Sequence, residues 1–307
     1  MASNLIVIVG PTASGKSELA IKLAQHLRNT SNVDAEIINA DSIQLYDELK
    51  ILTAYPCCDS LAKVKHHLYG VLSPHETSSV SFWVDLAAAK IRQLHQQGKV
   101  AIICGGTGLY VEALLGGISN IPQIPADFRA EVQKKFEQMG RDAFFDLLQN
   151  LDPDLCKTLH KNNTQRILRA YEVVSYTKKP LSSWWKENDR EREAEYREVS
   201  QIVLMPPREQ LNARCLLRIE KMISNGAIDE VEQFVKKYPG YDGSMNNVIG
   251  YKEILSLLNK KISISECMEL MLIRTKQYAK RQSTWFRHRM KNSKIITEFG
   301  SDVVLCS

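Results

Sequence analysis

Gly10-Pro11-Thr12-Ala13-Ser14-Gly15-Lys16-Ser17 stands between a run of apolar residues, Leu5 to Val9, and an amphipathic stretch, Glu18 to Leu27. The pattern G-x-x-x-x-G-K-[ST] in a strand–loop–helix setting is a phosphate cradle. Gly10 and Gly15 let the backbone turn and present N–H groups, and the start of the following helix adds its positive dipole end. Lys16 is suited to terminal phosphate oxygens and the Ser17 hydroxyl to a Mg²⁺ shell.

Two further stretches place polar groups where ligands bind in open α/β sheets, outside the carboxyl ends of strands. Glu36 to Ala40 reads as a buried strand running into Asp41-Ser42-Ile43-Gln44-Leu45-Tyr46. Val100 to Cys104 reads as another, running into Gly105-Gly106-Thr107-Gly108-Leu109-Tyr110. The structural reading of Asp41 taken alone is a strand-end cap. Near the end of the chain, Arg274, Lys276, Lys280, Arg281, Arg287, Arg289, Lys291 and Lys294 follow one another with no acid between them. Tyr278, Trp285, Phe286 and His288 are interleaved, a composition suited to a phosphate backbone and unstacked bases. The plainer reading puts Trp285 and Phe286 in the core and the cations in solvent. Gln165-Arg166 and Arg169 form a second polar cluster within one helical turn.

The elements that must position these residues alternate strand and helix. Ser79 to Gln97 has helical spacing and ends at Gly98. Such alternation implies right-handed crossovers and a parallel sheet. Ile118 to Pro125 reads as a connector, and Asp127 to Glu198 contains helix starts but no clear strand. Asp152-Pro153 is an N-cap with a first-turn proline, and Asn163 or Thr164 caps the next helix. The charged run from Lys186 to Glu198 reads as a solvated helix face. Ser200 to Met205 returns to strand character, and Pro206-Pro207 opens a helix through Ser224, stopped at Gly226. Tyr238 to Gly250 reads as a loop, Ser263 to Glu266 as a capping box whose helix reaches about Met290, and Lys294 to Thr297 as one more strand. The expected fold is α/β: a P-loop NTPase-like parallel sheet flanked by helices, from residues 1–120 and 199–307, with an all-helical insertion at 121–198.

With 307 residues, 44% hydrophobic and 24% charged, the chain can bury a sizeable core, and wholesale disorder is excluded. Its net charge of +5 gains meaning only from its concentration near the C-terminus. Seven cysteines without a C-x-x-C pair point to a reducing, cytoplasmic setting with neither disulfides nor a zinc site. No apolar run approaches the roughly 18 residues of a membrane span, and the first strand leaves no room for a signal peptide.

Gly10 to Ser17, Asp41 to Tyr46, Gly105 to Tyr110 and the tail Ala279-Lys280-Arg281-Gln282-Ser283-Thr284-Trp285-Phe286-Arg287 occur in one order. Together they resemble the bacterial tRNA dimethylallyltransferases, and the likeness runs from Leu5 to about Arg289. The phosphate loop is widespread, whereas the D-S-x-Q-x-Y and G-G-T-x-L-Y pair is far more specific. The resemblance implies transfer of a dimethylallyl group from its diphosphate to N6 of the adenine at position 37, beside the anticodon of tRNAs reading U-starting codons. It implies Asp41 as general base, Thr107 as a holder of the acceptor, and Arg214 on the diphosphate, with Mg²⁺ as cofactor. It further implies tRNA contacts from Asp41, Ser42, Ile43 and Gln44, from Thr107 and Arg129, and from Gln165, Arg166, Ile167, Leu168 and Arg169. In the tail the candidates are Lys280, Arg281, Gln282, Trp285 and Arg287. The partners expected are the tRNA anticodon stem-loop and dimethylallyl diphosphate, with no membrane and a monomeric chain.

Leu52-Thr53-Ala54-Tyr55-Pro56 stands where many members have Gly-Thr-Ala-Lys-Pro, and Lys65-His66-His67 where Pro-His-His is usual. His66 and His67 are expected as a surface or packing pair, because no third residue is spaced for a metal. Three other activities use some of the same residues: a small-molecule P-loop kinase with Asp41 positioning a metal, a prenyltransferase of free adenine nucleotides, and a nucleotide-switched RNA-binding protein. The basic aromatic helix and the insertion favour tRNA.

Overall fold

The computed structural model describes residues 4–116, 119, 121–191 and 199–305, in two compact units. The first unit, residues 4–114 together with 199–305 of those described, opens with β1 (Leu5–Val9), α1 (Lys16–Ser31), β2 (Ala35–Asn39), and the short α2 (Lys50–Thr53) and α3 (Cys58–Lys63). It continues with β3 (His66–His67), α4 (Val80–Gln96), β4 (Val100–Gly105) and α5 (Gly108–Gly116). Five helices of the second unit follow: α6 (Ala126–Met139), α7 (Arg141–Leu151), α8 (Pro153–Cys156), α9 (Thr164–Thr177) and α10 (Leu181–Glu191). The chain returns to the first unit through β5 (Val199–Leu204), α11 (Arg208–Ser224), α12 (Ala227–Lys237), α13 (Tyr251–Leu258), α14 (Ile264–Arg289) and β6 (Lys294–Ile296).

The six strands form one parallel sheet in the order β3-β2-β4-β1-β5-β6. β1 and β4 are buried along their whole length and read as continuous apolar runs, as parallel strands covered on both faces must. β2, β4 and β1 lie side by side, so the segments leaving their carboxyl ends share one edge. Those segments are the Asp41 stretch, the Gly105–Tyr110 stretch and the phosphate loop.

Local signals account for most boundaries. Ser79 caps α4 by accepting from the Phe82 N–H, and Ser263 and Glu266 form the capping box of α14, which ends at Arg289. α1 extends beyond the Glu18–Leu27 stretch because Gly15, at φ +82, starts it at Lys16. Gly226 closes one helix and, at φ +95, opens α12, whose Ala227, Val231 and Phe234 are buried at helical spacing. α12 and α13 were not expected from the sequence. Nor was β3, where His66 and His67 pair with Ile37 and Ile38 at the sheet edge. His67 Nε2 lies 2.6 Å from Glu36, which also receives Lys99 Nζ at 2.6 Å. The histidines are thus a packing pair.

The described residues of the second unit form helices and connecting turns and no strand, with a core of their own around Phe144, Leu148, Ile167, Ala170 and Val173. Asp152 caps α8 ahead of Pro153, and the α9 cap is Asn163, whose side chain accepts from the Arg166 N–H. In α10, Lys186 pairs with Asp154 at 2.7 Å, and that carboxyl, also bonded by Lys157, is held down at about 2. The rest of the charged run, residues 192–198, lies outside the described residues.

Candidate active site

The loop Gly10–Ser17 leaves β1 and its last residues open α1. Two of its N–H groups are held inside the protein: Ser14 N–H by the Pro11 carbonyl at 3.2 Å, and Thr12 N–H by Gln282 Oε1 at 2.8 Å. The first-turn N–H groups of α1 have no carbonyl partner within the helix and face the mouth of the loop. Ser14 is fully buried, and its Oγ has no hydrogen-bond partner among the described residues. Buried hydroxyls are nearly always satisfied, so an orphan inside a phosphate-binding pattern marks a ligand position. Lys16 is half-buried with Nζ 3.4 Å from the Pro11 carbonyl, and removal of water around it lowers its pKa despite the opposing pull of Cys104 and Asp41. Burial pushes the thiol of Cys104 up to about 11, against the opposing pull of Lys16 and of the Ser17 hydroxyl.

Asp41 stands two residues beyond β2, in the grip of buried Asn39. Asn39 Oδ1 accepts the Asp41 N–H at 2.8 Å and Asn39 Nδ2 donates to the Asp41 carbonyl at 2.9 Å. Asp41 Oδ1 accepts the Ile43 N–H at 3.1 Å, while Oδ2 is aimed toward Gly106. Across the edge, the Thr107 N–H bonds the Ala40 carbonyl at 3.0 Å, and Thr107 Oγ1 accepts the Ser42 N–H at the same distance. The carboxylate and the threonine therefore belong to one hydrogen-bonded frame. Arg218 of α11 and Tyr278 of α14 share its electrostatics. Burial lowers the Arg218 pKa against the pull of Asp41, and burial raises Tyr278, with Asp41 adding to the rise. Cations at Lys16 and Arg218 that share the field of the Asp41 carboxylate can hold an anionic leaving group, and the carboxylate can take a proton from a nucleophile.

Residues 44–289 match the family described as IPP transferase. The chain belongs to that family. It is 41% identical over 288 residues to the tRNA dimethylallyltransferase of Pelagibacter ubique (strain HTCC1062), covering 94% of this chain and 90% of that protein. With the enzyme of the same name from Paramagnetospirillum magneticum it shares 38% identity over 302 residues, 98% of this chain and 93% of the other. Among solved structures, a eukaryotic dimethylallyltransferase acting on tRNA superposes with a TM-score of 0.80 at 26% identity, over 98% of this chain and 75% of that one. A tRNA isopentenylpyrophosphate transferase from Staphylococcus epidermidis gives 0.67 at 33% identity, over 98% and 94%.

Within this IPP transferase, the residues singled out from sequence do not all present their side chains to a ligand. Gln282 is buried, with both ends of its amide used, so its side chain is not an outward RNA contact. Ile167 is fully enclosed in the helical core, and Leu168 packs beside it, because α9 needs an apolar face to fold. Arg214 has its guanidinium over the Phe299 ring at 4.0 Å and donates to Ser301 Oγ at 3.0 Å, occupying it with the C-terminal segment. The guanidinium sharing the field of Lys16 and Asp41 is instead Arg218, one helical turn further on. Gln44 donates to the Thr53 and Ala54 carbonyls and so braces the turn that ends in Tyr55.

Other candidates are open to solvent. Lys280, Arg281 and Arg287 are exposed on α14, Gln165 and Arg166 on α9, and Arg129 on α6. Arg169 is exposed with one nitrogen 3.5 Å from Glu172. Tyr46 is buried, whereas Trp285 is half-buried with its ring against Gly108. A Cβ at position 108 would lie 2.3 Å from that ring, so glycine there is what lets the indole approach the loop. Asn39, Arg218 and the role of Gln282 escaped the sequence reading. Asn39 carries a weak signal, a polar residue closing an apolar strand just before an acid.

Proposed function

We infer that this chain transfers a dimethylallyl group from dimethylallyl diphosphate to N6 of the adenosine at position 37 of tRNAs that read U-starting codons. The observation carrying this reading is the convergence, at one sheet edge, of a phosphate loop with an orphaned buried hydroxyl and a framed carboxylate beside Thr107. The loop N–H groups, Ser14 Oγ, Lys16 and Arg218 seat the diphosphate. The Oδ2 of Asp41 is directed toward the acceptor side of Gly106.

In the reaction the adenine amine attacks the allylic carbon, a C–N bond forms, the C–O bond to diphosphate breaks, and Asp41 takes the amine proton. Removal of the proton by a placed base contributes about 10²–10⁴-fold. Stabilisation of the developing diphosphate charge by fixed donors contributes on a similar scale. The donor set suits a Mg²⁺ ion that arrives with the substrate, since Mg²⁺ keeps waters and takes one or two protein groups plus phosphates. Ser17 would supply such a group; no set of three or more ligating acids, histidines or cysteines forms a resident cage among the described residues. When bound, the ion spreads the negative charge of the leaving group.

The adenine must leave its stack to reach a sheet edge, and Trp285 offers a ring beside the Gly105–Tyr110 loop to receive it. The cations of α14 and the Gln165–Arg169 face and Arg129 of the helical unit supply phosphate contacts to the anticodon stem-loop. The test is incubation with radiolabelled dimethylallyl diphosphate, Mg²⁺ and unmodified tRNA. Label on the anticodon-loop adenine is expected. Labelled free adenine nucleotide, or none on RNA, would refute the reading.

A further inference from the structure

α14 presents a row of cations outward, yet a neutral residue of the same helix, Gln282, turns toward the phosphate loop and Gly106. Gln282 is 6% exposed. Its Oε1 accepts the N–H of Thr12 in the phosphate loop at 2.8 Å, and its Nε2 donates to the carbonyl of Gly106 at 2.9 Å. A peptide N–H can only donate and a carbonyl can only accept, so the two partners leave the amide one orientation. A Cβ on Gly106 would lie 2.3 Å from Nε2 and 3.5 Å from Asp41 Oδ2. The missing side chain at Gly106 is what admits the amide, and it does so beside the carboxylate.

One planar group therefore bonds the loop that holds the leaving group and the loop that holds the acceptor. We propose that Gln282 is a positioning residue that sets the separation between the departing diphosphate and the attacking adenine amine. This rests on the transfer reaction inferred above. Displacement at the allylic carbon needs nucleophile, carbon and leaving oxygen in line, and a misplacement of about 1 Å can cost about a hundredfold. The role differs from an RNA contact, which would act on tRNA affinity, and from a purely structural one, which would act on stability alone.

The variants are Gln282→Glu, which keeps the acceptor for Thr12 but turns a carboxylate oxygen toward the Gly106 carbonyl, and Gln282→Asn, one methylene too short to span both loops. Single-turnover transfer at saturating tRNA and dimethylallyl diphosphate is expected to fall about tenfold or more in both. The dissociation constants for tRNA, by filter binding, and for inorganic pyrophosphate, by calorimetry, should stay within about twofold of the parent chain. An unchanged saturated rate, or a weakened tRNA affinity with an unchanged saturated rate, overturns the proposal. Hydrogen exchange supplies a readout that needs neither RNA nor a variant. Pyrophosphate alone should slow exchange of the amides of residues 105–107 in the parent chain, because its loop is bonded to theirs through Gln282. No slowing there overturns the two-loop link, whereas a parent chain that links the loops but leaves tRNA unlabelled refutes the function and not the link.

Discussion

The sheet edge and the basic outer surfaces treat their polar side chains in opposite ways. At the edge, Asp41 is held by Asn39 and by the Ile43 N–H, Thr107 by Ser42 and Ala40, and the phosphate loop by Gln282. On α14 and α9, Lys280, Arg281, Arg287 and Arg166 stand in solvent. Chemistry at a carbon atom tolerates little misplacement, so its groups are pinned by short-range hydrogen bonds before any ligand arrives. Binding a phosphate backbone asks only for positive charge within reach, which flexible exposed side chains provide and salt weakens. Rate should accordingly depend on the first set, and affinity on the second.

Asp41→Asn should separate the two regions most sharply. Product formation at saturating tRNA is expected to fall about a hundredfold or more, with tRNA affinity retained. Lys16→Ala should cost about 10²-fold in transfer and weaken pyrophosphate binding measured by calorimetry. Ser14→Ala is a subtler probe. Removing a buried hydroxyl that lacks a partner should leave the thermal midpoint unchanged or raised, while pyrophosphate binds about tenfold more weakly. A lowered midpoint with unchanged binding would mean that Ser14 serves the fold instead. Replacing Lys280 or Arg281 by alanine should reduce the slope of log affinity against log salt by about one unit each.

The smallest effect lies away from both regions, at the edge strand. Burial lowers the pKa of His67 below its ordinary 6.5, against the opposing bond to Glu36. For Glu36, burial alone would raise the pKa, but the bonds from Lys99 and His67 outweigh it and hold the carboxyl below 4.5. A depressed folded pKa contributes stability that is complete above the unfolded value and is lost as pH falls through the folded one. Thermal midpoints should therefore decline below about pH 6.5 as His67 is forced to charge, and again below about pH 4.5 as Glu36 is neutralised. In Glu36→Gln the second decline should be smaller.

What could be read from residue order follows the range of the interactions involved. The phosphate loop, the capping box of α14, the Asp152-Pro153 start and the strands β1, β2, β4 and β5 are each set by neighbours a few positions apart. α12 was hidden because Gly226 stops one helix and starts the next, and the two-residue β3 is too short to show a period. Of the site, Asp41 and Thr107 were visible at strand ends. The inward turn of Gln282 was not, since α14 carries polar residues on most of its faces and only the fold shows which one meets Thr12 and Gly106. Arg214 and Arg218 lie one turn apart on α11, and the sequence offers nothing to separate them. Phe299 and Ser301, far along the chain, take up the first, whereas the second shares the field of Asp41.

The most direct measurement compares single-turnover transfer in Asp41→Asn with that in a Lys280→Ala, Arg281→Ala double variant, each over a rising tRNA concentration. The double variant is expected to recover the parent rate once tRNA saturates, whereas Asp41→Asn stays about a hundredfold below it at every concentration. Recovery of Asp41→Asn at high tRNA, or a double variant that remains slow at saturation, would contradict that expectation.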